Sequence, residues 1–370
     1  MFEKIFPVFL VGIAVLAYFL FIGKGEYFLP STNLVNNSHD IPSPMPKSSD
    51  AVLPGLSDQP AEGKMSLESI FKMPHQLPVR SGLPVITLLA TGDVIPARSV
   101  NFQSVQRKDF LWPYKEVASV LKEADITFIN LETPLMNKCE VTQEGMRFCG
   151  DSKHIEGLVF AGVDVASLAN NHAGNYGKAG IDETVKGLNG AGIKVTGVKE
   201  AAFVTVRGVK FAFLGYNDIE KTSVVKSAEE EVMKKEIADA KKQSDVVVVT
   251  FHWGEEYVTA PGERQTMLGK LAVDSGADLV IGNHAHWIKP IQFYKDKVIT
   301  YGHGNFIFDQ EWSQKTKEGV AGRYVFIGKN LVDIEYLPVE IRNYGQPVFL
   351  EGVAKQKILD EMYSESKKLE

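Results

Sequence analysis

Cysteine is scarce. The 370 residues contain two, Cys139 and Cys149. They stand too far apart for a zinc knuckle, whose ligand pairs are closely spaced. In oxidising surroundings such a pair closes a loop; in the cytoplasm it stays as two free thiols. Basic charge is not in excess either. The formal net charge is -6, and nucleic-acid backbones are held by clustered Lys and Arg, so nucleic-acid binding is excluded as the main task. No internal repeat is present, which removes solenoids and propellers. What remains is a chain that is 44% hydrophobic and 23% charged, enough for one large folded domain or two smaller ones.

Charge is missing altogether from Ile5 to Ile22. A run of about 18 apolar residues approaches the roughly 20 that span a bilayer. No cysteine follows it for lipid attachment, and no small-residue cleavage site is present. Residues 1–28 therefore read as a membrane anchor, a single transmembrane helix, ahead of the alternative of a cleaved signal peptide. Lys4 and the amino terminus precede the run and Lys24 follows it; we place the short end inside and the long domain outside the cell. Residues 29–83 are rich in Ser, Pro, Asn and Asp, a composition that buries too little apolar surface to offset its ordering entropy. They read as a flexible linker with a short helix at Met65 to Lys72. Residues 84–350 form the folded domain, and 351–370 a C-terminal amphipathic helix or tail.

Inside that domain strand-like and helix-like stretches alternate. "PVITLLAT", "DITFIN", "DVASLAN", "KFAFLGYN", "DVVVVTFHW" and "ADLVIGN" are β-branched apolar runs. Amphipathic stretches such as "GKAGIDETVKGLNGAG" and "GERQTMLGKLAVDSG" separate them. Alternation of this kind predicts α/β architecture. Towards the C-terminus the pattern changes to hairpins, with turns at Lys295-Asp296 and Gly328-Lys329-Asn330, which predicts a mixed or second sheet.

Strand after strand ends in a ligand-type residue. The tips are Gly92-Asp93, Asn130-Leu131-Glu132, Asn170-Asn171-His172, His252 to Glu256, and Asn283-His284-Ala285-His286. Each has an ordinary explanation alone: a turn, a solvated cap, an Asn-rich helix start, a core histidine. Even the His284/His286 pair is ambiguous by itself, although an extended backbone would turn both rings to one side. In open α/β sheets, however, ligands bind beyond the carboxyl ends of the strands. Five such tips can converge. Carboxylates, imidazoles and an amide oxygen suit Mn, Fe, Zn or Mg, and a bridging carboxylate can hold two cations side by side for hydrolytic chemistry.

The segments "LLATGDVIPAR", "NLETPL", "ASLANNHAGNYGKAGI", "FHWGEEY", "IGNHAHWIKPIQ" and "VITYGHGNFIFDQ" together resemble the CapA family, which is tied to poly-γ-glutamate capsule synthesis. The resemblance runs from about Val85 to Gln310. It implies a fold similar to the calcineurin-like metallophosphoesterases, a layered α/β/β/α sandwich with mixed sheets. It also implies one or two divalent metal ions, Mn, Fe or Zn, held by Asp93, a bridging Glu132, Asn171, His252, His284 and His286. His172 is implied as general acid. Arg98 stands where it could hold an anionic group, in a catalytic or substrate-binding role, and Glu256, Tyr257 and Asn305 as pocket-lining, substrate-binding residues. The implied setting is the cell membrane, with an anionic envelope polymer as partner and a membrane-bound polymer synthase complex nearby.

The pattern has departures. The phosphoesterase motif Asp-x-His reads Asp93-Val94-Ile95 here. Asn175 replaces the Asp that family members commonly carry before Tyr-Gly. His303 stands where an apolar residue is expected. Two functions compete: a metal-dependent hydrolase of phosphoester or polyglutamate bonds, and a non-catalytic module that binds an anionic polymer. A metal-stabilised scaffold without turnover is the third reading.

Overall fold

The computed structural model describes residues 65–75 and 82–370. The expected anchor and most of the linker lie outside the described residues. Among the described residues, no helix is long and apolar enough to cross a membrane.

In chain order the first strands are β1 Val85–Val94, β2 Ile126–Leu131, β3 Leu135–Met136, β4 Gly150–Asp151, β5 Val165–Ser167, β6 Lys194–Thr196, β7 Ala202–Val206 and β8 Val209–Asn217. There follow β9 Val246–His252, β10 Leu279–Asn283, β11 Ile291–Tyr294, β12 Lys297–Thr300, β13 Asn305–Ile307, β14 Glu318–Ile327, β15 Asn330–Arg342 and β16 Gln346–Phe349. The helices are α1 Leu67–Phe71, α2 Arg98–Arg107, α3 Ala118–Glu123, α4 His154–Phe160, α5 Gly177–Gly190, α6 Glu230–Lys241, α7 Glu263–Asp274, α8 Gln314–Lys317 and α9 Gly352–Lys367.

Two mixed sheets carry the domain. One runs β16-β15-β14-β1-β2-β5-β6, with β13 beside the end of β1. The other runs β11-β12-β10-β9-β8-β7. Period-two alternation decides which side chains go where. Leu88, Phe128, Phe213, Val248 and Ile281 meet in one core shared by both sheets. Their neighbours point the other way. Leu89 and Ile129 pack with α3, α4 and α5, while Leu214, Val247 and Val280 pack with α6 and α7. The layers are therefore helix, sheet, sheet, helix. The apolar run Val246–Val249 is uninterrupted because its strand is covered on both faces.

Both expected hairpins form. Lys295 and Asp296 adopt φ of 48° and 59°, the left-handed pair of a tight turn between β11 and β12. Gly328 takes φ 58° between β14 and β15.

The short helix expected in the linker is packed rather than free. Ser66 and Ser69 form a capping box at the start of α1. Leu67, Ile70 and Phe71 are buried, and Phe71 stacks on Tyr336 at 5.7 Å. Burying each such side chain contributes roughly 1.5–3 kcal/mol, so residues 65–75 belong to the folded body.

Register aligns the strand tips. Asp93 stands level with Asn130 and with Asn305. In the other sheet Asn283 pairs with His252, and His252 with Asn217. Gly92 permits the approach of β13: a Cβ there would lie 2.2 Å from the Gly304 carbonyl oxygen.

Candidate metal centre

The fold brings Asp93, Glu132, His252, His284 and His286 into one buried cluster. They form two overlapping triads, Asp93/Glu132/His252 and Glu132/His284/His286, each with its ligand atoms within 4.8 Å of one another. Glu132 is common to both. His286 Nδ1 lies 3.2 Å from Asp93 Oδ2, and His284 Nδ1 lies 3.1 Å from His252 Nε2. The Asn130 amide donates to Asp93 Oδ1 at 2.8 Å and lies 3.3 Å from His252 Nδ1. Asn170 donates in turn to Asn130 Oδ1 and to the Leu131 carbonyl, fixing the β2 tip.

His284 and His286 converge by a route different from the one expected. Their backbone is not extended: φ is 95° at His284 and 54° at His286. Left-handed φ at two non-glycine residues is costly, and strain of this kind collects at functional sites. The turn lets the His284 N–H donate to Asp93 Oδ2 at 3.3 Å while His286 Nδ1 meets Asn305 Oδ1 at 2.8 Å.

Burial dominates the electrostatics. Burial and the charge of Asp93 push Glu132 well above the ordinary carboxylate range. Burial raises Asp93 too, but its hydrogen bond with His286 and the charges of His286 and His252 outweigh that and hold it below its usual value. Burial takes His252 down to about 3 and, with the charges of His252 and His286, takes His284 well below its usual value. Burial opposes a charge on His286 as well; the hydrogen bond to Asp93 and the charges of Glu132, Asp93 and Glu256 reverse it and raise the ring to about 9.

The set suits a divalent cation. Among the described residues neither Glu132 oxygen receives a hydrogen bond, although His252 Nε2 lies 3.2 Å from Oε1. Asn171 Oδ1 is likewise buried without a donor. Buried oxygens of this kind are costly unless something positive satisfies them.

The bacterial capsule synthesis protein family PGA_cap has a model that matches residues 87–310, more than half of the chain. The chain belongs to this family. It is 28% identical over 306 residues to the capsule biosynthesis protein CapA of Bacillus anthracis, covering 76% of this chain and 74% of that one. It is 29% identical over 302 residues to the PGA biosynthesis protein CapA of Bacillus subtilis, covering 76% and 79%. Its fold is similar to that of a phosphatase from Mycoplasma pneumoniae, with a TM-score of 0.50 at 13% identity over 72% of this chain and 96% of that one.

The remaining expected residues of this PGA_cap member take distinct places. His172 borders the site, with Nδ1 3.1 Å from Asn175 Oδ1 and its ring stacked on Phe148 at 4.0 Å. Burial lowers it to about 4. The same Asn175 oxygen accepts from the Phe148 N–H at 2.6 Å, and the Arg147 side chain donates to the Asn175 carbonyl at 3.2 Å. Arg147 and Phe148 belong to a loop closed by the Cys139–Cys149 disulfide.

Arg98 is already engaged. Its guanidinium is paired with Asp309 and lies over the Phe148 and Phe308 rings at 5.2 and 4.8 Å. Asn305 is fully buried and its amide is consumed: it faces His286, Gln310 and the Thr316 carbonyl. It orients His286. Tyr257 accepts from Gln310 at 3.0 Å and lies 6.1 Å from the His286 ring. Burial and the neighbouring Glu256 raise its phenol. Ile95 packs with Ala97, Phe148 and Phe308, an apolar wall where the phosphoesterase motif has a ligand. His303 faces away into the core between the sheets, 3.1 Å from the Tyr324 hydroxyl.

Sequence reasoning overlooked Asp309 and Gln310, which hold Arg98, Asn305 and Tyr257. Both stand in the quoted "FIFDQ", but no periodicity marks a residue whose partner is another side chain.

Proposed function

We propose that this chain is an accessory protein of poly-γ-glutamate synthesis, anchored in the cell membrane and facing outward, that hydrolyses a bond in the polymer or in a phosphoester. One or two divalent cations, Mn, Fe or Zn, serve it at the strand tips. The observation that carries the reading is Glu132: one buried carboxylate shared by two ligand triads, with both oxygens lacking a hydrogen bond. Bound cations in such a site polarise a substrate oxygen and lower the pKa of a bound water. Asp93, His252, His284 and His286 are the other ligands, with Asn171 adding its amide oxygen. Asn130 and Asn305 orient Asp93 and His286. His172, with Nδ1 engaged by Asn175, keeps Nε2 for a proton.

Three features favour a second reading, a module that binds the polymer without cleaving it. Ile95 removes a ligand, Asp309 occupies Arg98, and Asn175 provides no charge to sustain an imidazolium at His172. Metal content, together with hydrolysis of γ-glutamyl oligomers and p-nitrophenyl phosphate by the full chain, decides the matter. Bound metal with turnover that Asp93→Asn abolishes is the expected result. Protein that stays metal-free after expression in metal-replete medium refutes the metal-dependent reading, and metal without turnover leaves the binding module.

A further inference from the structure

A second concavity lies behind the histidine loop. It encloses about 330 Å³ between the segment Trp287–Pro290 and one face of α9. Trp287 follows His286 directly, so the cavity adjoins the metal centre along the chain. Its positive groups are unusual. Lys289 is 1% exposed, yet the only hydrogen bond of its amine among the described residues is to the Ala260 carbonyl, at 2.9 Å. Its stem lies over Gly302, where a Cβ would meet Lys289 carbons at 3.2–3.3 Å, so the amine is held in place. Trp287 Nε1 is buried with no acceptor. Lys315 Nζ sits 4.4 Å from the Trp287 ring centroid. Among the described residues neither lysine forms a salt bridge, although the charge of Glu255 acts on Lys289 from further off, whereas the acids that line the cavity do have partners. Glu361 faces Lys357 of α9, Glu365 faces Lys368 just past its end, and Glu318 accepts from Gln314.

A buried ammonium satisfied by a single carbonyl and no salt bridge, beside a buried indole N–H without an acceptor, is costly, and an anion would offset that cost. The acids at the rim disfavour a dense polyanion. The apolar wall of Ile288, Ile358 and Met362 suits methylene groups. We propose that this cavity is a subsite for a carboxylate on an aliphatic chain: Lys289 and Trp287 Nε1 take one α-carboxylate of a γ-glutamyl chain whose neighbouring unit lies at the metal centre, and Lys315 covers it. The inference rests on polyglutamate being the polymer, as proposed above. It needs no turnover.

The test is calorimetric titration of the full chain, stripped of metal with chelator, with a γ-linked glutamate oligomer. Wild type binds; Trp287→Phe, which keeps the ring and loses the donor, weakens binding roughly tenfold or more, as does Lys289→Met, the usual scale for a hydrogen bond to a charged group. Thermal melts confirm that both variants are folded, and Trp287→Phe decides the outcome if Lys289→Met is not. An oligomer with its α-carboxylates amidated should bind no better than the variants do. Wild-type affinity in a folded Trp287→Phe, or tighter binding of polyphosphate than of the glutamate oligomer, overturns the subsite and leaves the hydrolase reading standing. Absence of oligomer binding to wild type, with or without metal, removes the polyglutamate reading and the subsite together.

Discussion

Breaking the Cys139–Cys149 bond should release His172 while leaving the cation ligands in place. The disulfide joins residues 10 apart. On the chain-entropy account, a loop of this length stabilises the fold by about 3 kcal/mol. For a chain of this size that corresponds to a fall in Tm of roughly 5 °C in Cys139→Ser. The local effect matters more. The loop reaches His172 through the Phe148 ring and, by way of Asn175, through the Phe148 N–H and the Arg147 side chain. His172 is lowered to about 4 chiefly by burial, so loosening the loop exposes the ring and raises its pKa towards 6.5. No residue from 139 to 149 belongs to either ligand triad, so metal stoichiometry should not change. Thermal denaturation, metal analysis and NMR titration of the His172 ring measure all three. A Tm loss with an unmoved His172 titration would refute the claim that the loop holds this histidine.

Other substitutions probe the same centre. Glu132→Gln should abolish metal retention yet stabilise metal-free protein at neutral pH, on the order of 1 kcal/mol or more. Because the folded state raises the pKa of Glu132, its contribution to stability is present at acid pH and is lost as pH rises through the folded value; denaturant titration at two pH values measures this. His286 at about 9 must lose a proton to bind a cation, and Glu132 gives up any proton its raised pKa retains, so metal affinity should climb at least about tenfold per pH unit up to about pH 9, with proton release visible by calorimetry in buffers of different ionisation enthalpy. Asn175→Asp places a carboxylate against His172 Nδ1 and should raise that ring by about 1–3 units, read by NMR. His75 has its own pH dependence. Burial opposes its charge, but the hydrogen bond and charge of Asp333, 3.1 Å away, raise its pKa. The pair therefore steadies residues 65–75 fully below pH 6.5 and ceases to do so above the raised value, a change of at most about 1 kcal/mol. Protection factors in this segment, which correct exchange for its intrinsic rise with pH, should fall as pH rises above 6.5 through the raised value, and that fall should be absent in His75→Asn.

The strand tips were legible because they rest on two rules that need no tertiary knowledge: apolar runs make strands, and parallel sheets bind at their carboxyl edge. Runs such as Val246–Val249 marked strands covered on both faces, while the helix–sheet–sheet–helix order came only from the family resemblance. The conformation of the His284–His286 turn was not legible, because φ of 95° and 54° is imposed by Asp93 and Asn305 from distant strands. Nor was the occupancy of Arg98, whose partner Asp309 is 211 residues away. The burial of α1 was hidden by its surroundings: three apolar side chains on one short face do not stand out in a polar tract.

The separation of the ligands along the chain has a consequence for metal choice. Asp93 and His284, which touch, are 191 residues apart, and no short segment brings both triads together. The site exists only once both sheets have closed, so a partly synthesised or half-folded chain presents scattered side chains rather than a competent cage. Affinities of such ligand sets follow a fixed ranking of metals, and the metal captured therefore depends on which is available. On the metal-dependent reading proposed above, the compartment in which this chain completes its folding would select the metal.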